Sequence, residues 1–331
     1  MPTTVAMHEH SYQHISERLN ALDLDISVIP FNDAGEFLVE DQPVAAKDIS
    51  VDYAWLSVHT SSDAIRESAF ETLLACRRVG VLQTFNAGLD NPFYKQISAK
   101  GTVVCNSSAQ AVAISEYVLA QSLAAIHPVD QQRQQQRANL WQRTPFRELS
   151  RMNWLIVGFG PIGQAINKRV KAFGATTTII RRTPTPSDAI DQVGTLNDLT
   201  THLPNADVIV LACPLNKTTR NMADTAFFSH VKTGALLINI ARGGLVNDQA
   251  LINALDGGQL GLAVLDVFHQ EPLPTEHPLW SHPKVRLTPH TSFNGDGVHD
   301  RWDQLFLDNI QRQVNGESLT HIVSPEDLAA T

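Results

Sequence analysis

The chain is poor in cysteine. Among 331 residues only Cys76, Cys105 and Cys213 occur, far apart and without metal-ligand spacing. That excludes a disulfide framework and a thiolate metal cluster, and free thiols point to a reducing, cytoplasmic setting. Positive charge is also scarce: 25 Lys and Arg face 34 Asp and Glu, a net charge of −9. Such a surface suits neither nucleic acid nor an anionic membrane. No apolar run reaches the length of a membrane span. Met1–His8 lacks the basic-then-apolar order of a signal peptide. Repeats and long low-complexity segments are missing too. What remains is ordinary globular composition, 43% hydrophobic and 18% charged, in a chain long enough for two domains.

One further absence sits inside the most informative stretch, Met152 to Arg182. An apolar run ending at Val157 feeds into Gly158-Phe-Gly160-Pro161-Ile162-Gly163. Ile162, Ile166, Val170 and Phe173 follow at helical spacing, and Thr176–Ile180 reads as a second strand. This is a βαβ unit with a dinucleotide-binding turn. Gly158 makes the tight turn, Gly160 lets the backbone approach a pyrophosphate, and Gly163 lets the helix lie close to the strand. Pro161 suits the first helical turn, where its missing N–H is not needed. After the second strand a carboxylate would bind the ribose hydroxyls of NAD. None is present. Arg181, Arg182 and Thr183 stand there instead. Guanidinium groups pair with a 2′-phosphate that a carboxylate would repel, so the pattern favours NADP(H).

On either side strands and helices alternate, as in doubly wound parallel sheets. Before the Gly-rich unit, strands are expected at Thr3–Met7, Ile26–Pro30, Tyr53–Val58, Val79–Phe85 and Thr102–Cys105. After it they are expected at Asp207–Ala212, Ala235–Ile240, Leu262–Val267 and Val285–Thr288. Helices are expected at Ile65–Arg77, Pro92–Ser98, Ala109–Ile126, Thr218–Phe228, Asp248–Leu255 and Val298–Val314, with a short tail after the last. The polar stretch Asp130–Arg143 reads as a packed arm, with Trp141 and Phe146 as apolar anchors for a subunit contact. His8, His10 and His14 crowd the first helix, but no carboxylate or cysteine completes a persuasive metal set. A solvated helix entry without metal is expected. Ligands of open α/β sheets bind at the carboxyl ends of strands. Arg242 and His290 sit at two such ends, and Glu271 closely follows a third.

These residues belong to motifs that together resemble the D-isomer-specific 2-hydroxyacid dehydrogenases along nearly the whole chain. They are Asn86-Ala-Gly88-Leu-Asp90-Asn91, the Gly-rich turn, Cys213-Pro214-Leu215 with Thr219-Arg220, and Asn239-Ile-Ala241-Arg242-Gly-Gly-Leu-Val246. Leu265-Asp266-Val267-Phe268, Glu271-Pro272-Leu273 and Thr288-Pro289-His290 complete the set. With arginines after the second strand, the chain is most similar to NADP-using glyoxylate/hydroxypyruvate reductases. The resemblance implies an α/β fold of two doubly wound domains. A Rossmann cofactor domain, 107–291, would be inserted into a flavodoxin-like substrate domain, 1–106 and 292–331. It implies a homodimer acting on a small 2-keto or 2-hydroxy acid.

The resemblance also implies roles. Arg242 would bind the substrate carboxylate and polarise the keto group, His290 would donate the proton, and Glu271 would orient and charge His290. Asp266 would hold the nicotinamide amide, with further cofactor contacts at Cys213, Pro214 and Ala241. Backbone N–H groups of Ala87 and Gly88 would complete the carboxylate site, and His59 lies in a loop linked to substrate choice. Those roles suit reduction of a keto acid, which places negative charge on oxygen. Phe293 departs from the small residues usual after the histidine and would narrow the substrate site. The length leaves no room for the extra C-terminal domain of longer phosphoglycerate dehydrogenases. Two alternatives share the fold: a non-catalytic nucleotide-sensing protein, and a family member oxidising another small anion such as phosphite. The Glu271–His290 pair argues against the formate-oxidising branch, which resembles a glutamine arrangement.

Overall fold

In the computed structural model, which describes residues 1–39 and 42–330, the chain divides into two compact units. The first comprises Met1–Ala109 and Asp296–Thr331, the second Gln110–Gly295. The first unit runs β1 (Thr3–His8), α1 (Glu9–Asn20), β2 (Ile26–Phe31), β3 (Phe37–Val39), β4 (Gln42–Val44) and β5 (Ser50–Leu56). It continues α2 (Asp63–Ala75), β6 (Arg78–Thr84), α3 (Pro92–Ala99) and β7 (Val103–Cys105). The second unit begins with α4 (Ala111–Ile126), α5 (Val129–Arg137), β8 (Asn153–Val157), α6 (Pro161–Ala172), β9 (Thr176–Ile180) and β10 (Gln192–Gly194). It continues α7 (Leu199–His202), β11 (Val208–Leu211), α8 (Thr225–His230), β12 (Ala235–Asn239), α9 (Asp248–Asp256), β13 (Leu260–Leu265) and β14 (Val285–Leu287). The chain then returns to the first unit with α10 (Val298–Val314), β15 (Ile322–Val323) and α11 (Pro325–Ala330).

Each sheet is buried on both faces, and the two-residue strand period sorts its side chains. In the second unit Leu155, Val157, Ile209, Leu211, Leu237 and Leu265 pack with residues of α7, α8 and α9. Their neighbours Trp154, Ile156, Val208, Val210, Ile238 and Val264 pack with Ile114 and Val118 of α4 and Ile166 and Val170 of α6. The strand order β10-β9-β8-β11-β12-β13-β14 is parallel throughout. This Rossmann order reverses direction between β8 and β11, which makes that the switch point.

The first unit keeps the flavodoxin-like order β7-β6-β5-β1-β2 in its parallel part. Antiparallel strands flank it, with β15 beside β7 and the β3–β4 pair beside β2. One face carries Ala54, Leu56 and Leu82 against Phe70, Leu73 and Phe93. The other carries Tyr53, Trp55 and Val81 against Ile15, Leu19, Phe306 and Ile310. Phe306 of α10 stacks on Trp55 at 4.1 Å between ring centroids.

Three expectations change. Thr218–Phe228 is not one helix, because only Thr225–His230 is helical. Asn216 Oδ1 accepts from the N–H groups of Thr218 and Thr219, a local turn that competes with the helical ladder. Asp224 then caps α8 by accepting from the Phe227 N–H at 2.9 Å. The tail is not featureless either, since β15 pairs with β7 and Leu328 of α11 is buried in the core. The polar arm is helical only through Arg137, after which Leu140, Trp141 and Phe146 are exposed. Among the described residues no single helix is long and apolar enough to cross a membrane.

Candidate active site

In the second unit every residue singled out for chemistry lies at, or just beyond, the carboxyl edge of the sheet. Across the sheet the loops come in the order Arg181 after β9, the Gly-rich turn after β8, Cys213 after β11, Arg242 after β12, Asp266 after β13 and His290 after β14. Gly158 takes φ +107°, and a Cβ there would meet the Ala212 carbonyl oxygen at 2.4 Å. Only glycine can make that turn. Gly160 precedes α6, Pro161 opens it, and no side chain caps it. Open space lies where a Cβ on Gly160 would sit. An uncapped helix entry with room above its N–H groups is a fitting cradle for a pyrophosphate.

At the other end of this cradle the Arg181 guanidinium lies 5.5 Å from the centre of the Phe159 ring. That is within reach of a cation–π attraction. The backbone N–H of Arg181 is bound by the Gly194 carbonyl at 3.0 Å. Phe159, the residue between the first two glycines, therefore helps to aim Arg181, a role that its sequence position did not reveal. Arg182 and Thr183 are exposed. Cys213 is buried, which pushes its thiol up to about 12, while Pro214 is exposed.

Glu271 and His290 meet directly. The Glu271 carboxylate accepts from His290 Nδ1 at 2.7 Å and from the Phe268 N–H at 2.9 Å. Burial pushes this carboxyl up, but the hydrogen bonds to His290 and Phe268, with the charges of His290 and Arg242, outweigh it. The net effect holds Glu271 below the ordinary carboxylate range, so it is ionised at neutral pH and the histidine proton lies on Nδ1. That leaves His290 Nε2 for proton exchange. The Phe293 ring stands edge-on to His290 at 6.2 Å.

Arg242 is extended, with φ −148°. Its loop is braced by buried Asn239, whose Nδ2 donates to the Arg242 carbonyl at 2.9 Å and whose Oδ1 accepts from the Ala241 N–H at 3.2 Å. Gly243 lets this loop lie against the one carrying Glu271: a Cβ there would meet the Phe268 carbonyl carbon at 1.9 Å. Asp266 is fully buried and holds the His290 loop.

With this geometry in place, comparison with known proteins decides the family. Residues 119–292 match the model for the D-isomer specific 2-hydroxyacid dehydrogenase, NAD binding domain. The chain belongs to this dehydrogenase family. Over 177 residues it is 32% identical to the glyoxylate/hydroxypyruvate reductase A of Yersinia enterocolitica, covering 54% of this chain and 56% of that one. Over 288 residues it is 30% identical to the D-3-phosphoglycerate dehydrogenase of Methanocaldococcus jannaschii, covering 85% of this chain and 53% of that one. The chain thus spans about half the length of these curated relatives. A solved D-isomer specific 2-hydroxyacid dehydrogenase family protein from Aeromonas salmonicida superposes with a TM-score of 0.76 at 27% identity. That match covers 98% of this chain and 100% of that one.

The remaining expected residues lie in the first unit. Ala87 and Gly88 are half-buried after β6, where Asn106 Nδ2 donates to the Ala87 carbonyl at 2.8 Å. His59 follows β5 in a turn capped by Ser57 Oγ, and its ring lies 5.4 Å from that of His14. Burial lowers its pKa, and the neighbouring histidines His14, His10 and His8 lower it further.

The histidine entry to α1 departs from expectation. His8 is fully buried rather than solvated, and a carboxylate does reach it, from Asp33 beyond β2. His8, His10 and Asp33 are close enough to share an ion. Yet His8 Nδ1 accepts from the His10 N–H, so the ring proton is on Nε2 and goes to Asp33 at 2.9 Å. A metal at Nε2 would force that proton onto Nδ1, against the N–H it now accepts. The group reads as a buried helix cap.

Proposed function

We propose that the protein is an NADP-dependent reductase of a small 2-keto acid, such as glyoxylate or hydroxypyruvate, giving the D-2-hydroxy acid. The observation that carries this reading is the bonded Glu271–His290 pair on the same sheet edge as Arg242 and the Gly-rich turn. Arg181 and Arg182 follow β9, where an NAD site would place an Asp or Glu in the sequence, and this supports NADPH over NADH. The Gly158–Gly163 turn, with Pro161 and Ile162, and Thr183, Cys213, Pro214 and Ala241 would line the cofactor. NADPH, when bound, supplies the hydride.

The protein does the rest. Arg242 binds the substrate carboxylate and draws electron density toward the keto oxygen. His290 passes its Nε2 proton to that oxygen as negative charge develops there. Glu271 keeps His290 oriented and favours its charged form before transfer. In reverse, the neutral ring takes the hydroxyl proton. Asp266 is assigned to the nicotinamide amide, and His59, Ala87 and Gly88 to substrate contact, on the strength of the family resemblance.

The same reading supports a homodimer, because Leu140, Trp141 and Phe146 leave apolar side chains in water. The Yersinia relative is named for glyoxylate and hydroxypyruvate, the Methanocaldococcus relative for 3-phosphoglycerate. A panel of glyoxylate, hydroxypyruvate, pyruvate and phosphohydroxypyruvate, each with NADPH and NADH, tests the choice by loss of nicotinamide absorbance. NADPH oxidation with either of the first two is expected to be fastest. Turnover with phosphohydroxypyruvate alone, or with NADH alone, would contradict the reading.

A further inference from the structure

Glu271 fixes the imidazole of His290 but not the backbone that carries it. His290 sits at φ +49°, in the left-handed region, which a residue with a Cβ keeps only when its surroundings hold it. Its N–H is shared between the carbonyls of Asp266 at 2.9 Å and Thr288 at 3.0 Å. The Asp266 side chain closes the rest of the turn. Oδ1 accepts from the Thr288 hydroxyl at 2.6 Å and the Thr291 N–H at 2.9 Å, and Oδ2 from the Ser292 N–H at 3.0 Å. Thus Thr288, His290, Thr291 and Ser292 all bond to one residue, and Pro289 between them has no N–H to offer.

The chain of bonds extends one step further. Thr288 has a single hydroxyl proton, and the carboxylate takes it. The Thr288 oxygen must therefore accept from Tyr117, whose hydroxyl lies 2.7 Å away. Tyr117 belongs to α4, which packs against α6 far from β14 in sequence. Its hydroxyl stays protonated at neutral pH, because burial raises its pKa more than the bond to Thr288 lowers it.

We propose that Tyr117 and Thr288, acting through Asp266, are positioning residues that hold the His290 backbone in its left-handed turn, so that the ring meets Glu271 in register. The inference rests on the reading of His290 as the proton donor. Hydroxyl, hydroxyl and carboxylate form a directed line in which each bond polarises the next. Losing its first member loosens the turn while removing no group assigned to substrate or cofactor. A displacement of about 1 Å at a reacting group can cost on the order of a hundredfold in rate.

The test uses Tyr117→Phe, Thr288→Val and Thr288→Ser in the full chain. Tyr117→Phe and Thr288→Val are each expected to lower kcat by about 5- to 100-fold. The keto-acid KM should stay within about twofold. Thr288→Ser keeps the hydroxyl and should restore native kcat. The double variant Tyr117→Phe/Thr288→Val should be no worse than the poorer single one, because both break the same line. Amide exchange over 288–292 should quicken in Tyr117→Phe while β8 and β11 remain protected, a readout that needs no turnover. Native kcat and unchanged exchange in Tyr117→Phe would overturn the proposal, as would a loss that falls on KM instead. If His290→Ala itself turns over normally, the parent reading fails, whereas the exchange result still decides the clamp.

Discussion

At the scale of single residues, the absence of one carboxylate and the presence of one ring decide how the ribose end of the site is read. Arg181 is aimed by Phe159, and both lie on loops whose backbones are fixed. Replacing Arg181 and Arg182 together with alanine is expected to raise the NADPH Michaelis constant far more than that for NADH. Phe159→Leu removes only the aim, worth about 0.5–1 kcal/mol at an exposed site, so the preference should narrow by about two- to fivefold. Equal losses for the two cofactors would remove the arginines from the 2′-phosphate. Glu271→Gln keeps size and hydrogen bonding but removes the charge that favours the imidazolium. Keto-acid reduction needs the protonated ring and hydroxy-acid oxidation the neutral one. Turnover is expected to fall in both directions, with NADPH affinity within about twofold of native. Native turnover in both directions would remove Glu271 as the working partner of His290.

Among elements, the start of β11 shows how charge anchors an otherwise apolar sheet. Burial pushes the Asp207 carboxyl up, but bonds from Arg147, Lys232 and the Asn153 N–H outweigh it and hold it below the ordinary range. A carboxyl depressed in the folded state adds stability above its ordinary value of 3.8, and that stability is lost as pH falls through the folded value. Asp207→Asn should cost about 1–3 kcal/mol at pH 7 in urea unfolding. The cost should shrink toward pH 3, and an equal cost at both would contradict the linkage.

The elements also show what could be read in advance. Val298–Val314 was legible to the residue because its apolar face repeats at helical spacing over four turns. The βα turn was legible because glycines at Gly158 and Gly163 have a steric reason. Thr218–Met222 was misread because Asn216, not periodicity, decides that turn. The two-residue strand β15 is too short to carry a pattern and exists by pairing with β7. In the site, Arg242, Glu271 and His290 stood out through their motifs. Tyr117, Asn239 and Phe159 did not, because a bracing residue acts through partners distant in sequence or on a neighbouring loop. The Asp33 carboxylate on His8 was hidden for the same reason.

For the whole molecule, the second unit interrupts the first in sequence, and each unit keeps its own doubly wound sheet and core. A Trp141 side chain as exposed as in an unfolded chain, next to exposed Leu140 and close to Phe146, is the feature a second copy would cover. A dimer is expected by light scattering at micromolar concentration. Trp141→Ser with Phe146→Ser should shift it toward monomer, and a monomeric native chain would contradict the subunit contact.

The claim that ties residue, loop and sheet together is that His290, set by Glu271, donates the proton while the cofactor site works independently of it. The direct measurement is His290→Ala, with NADPH affinity by fluorescence titration and single-turnover NADPH oxidation with glyoxylate and hydroxypyruvate. NADPH affinity is expected within about twofold of native, with the chemical step slowed by about 10²–10⁴-fold. A native rate of NADPH oxidation in a folded His290→Ala protein would contradict it.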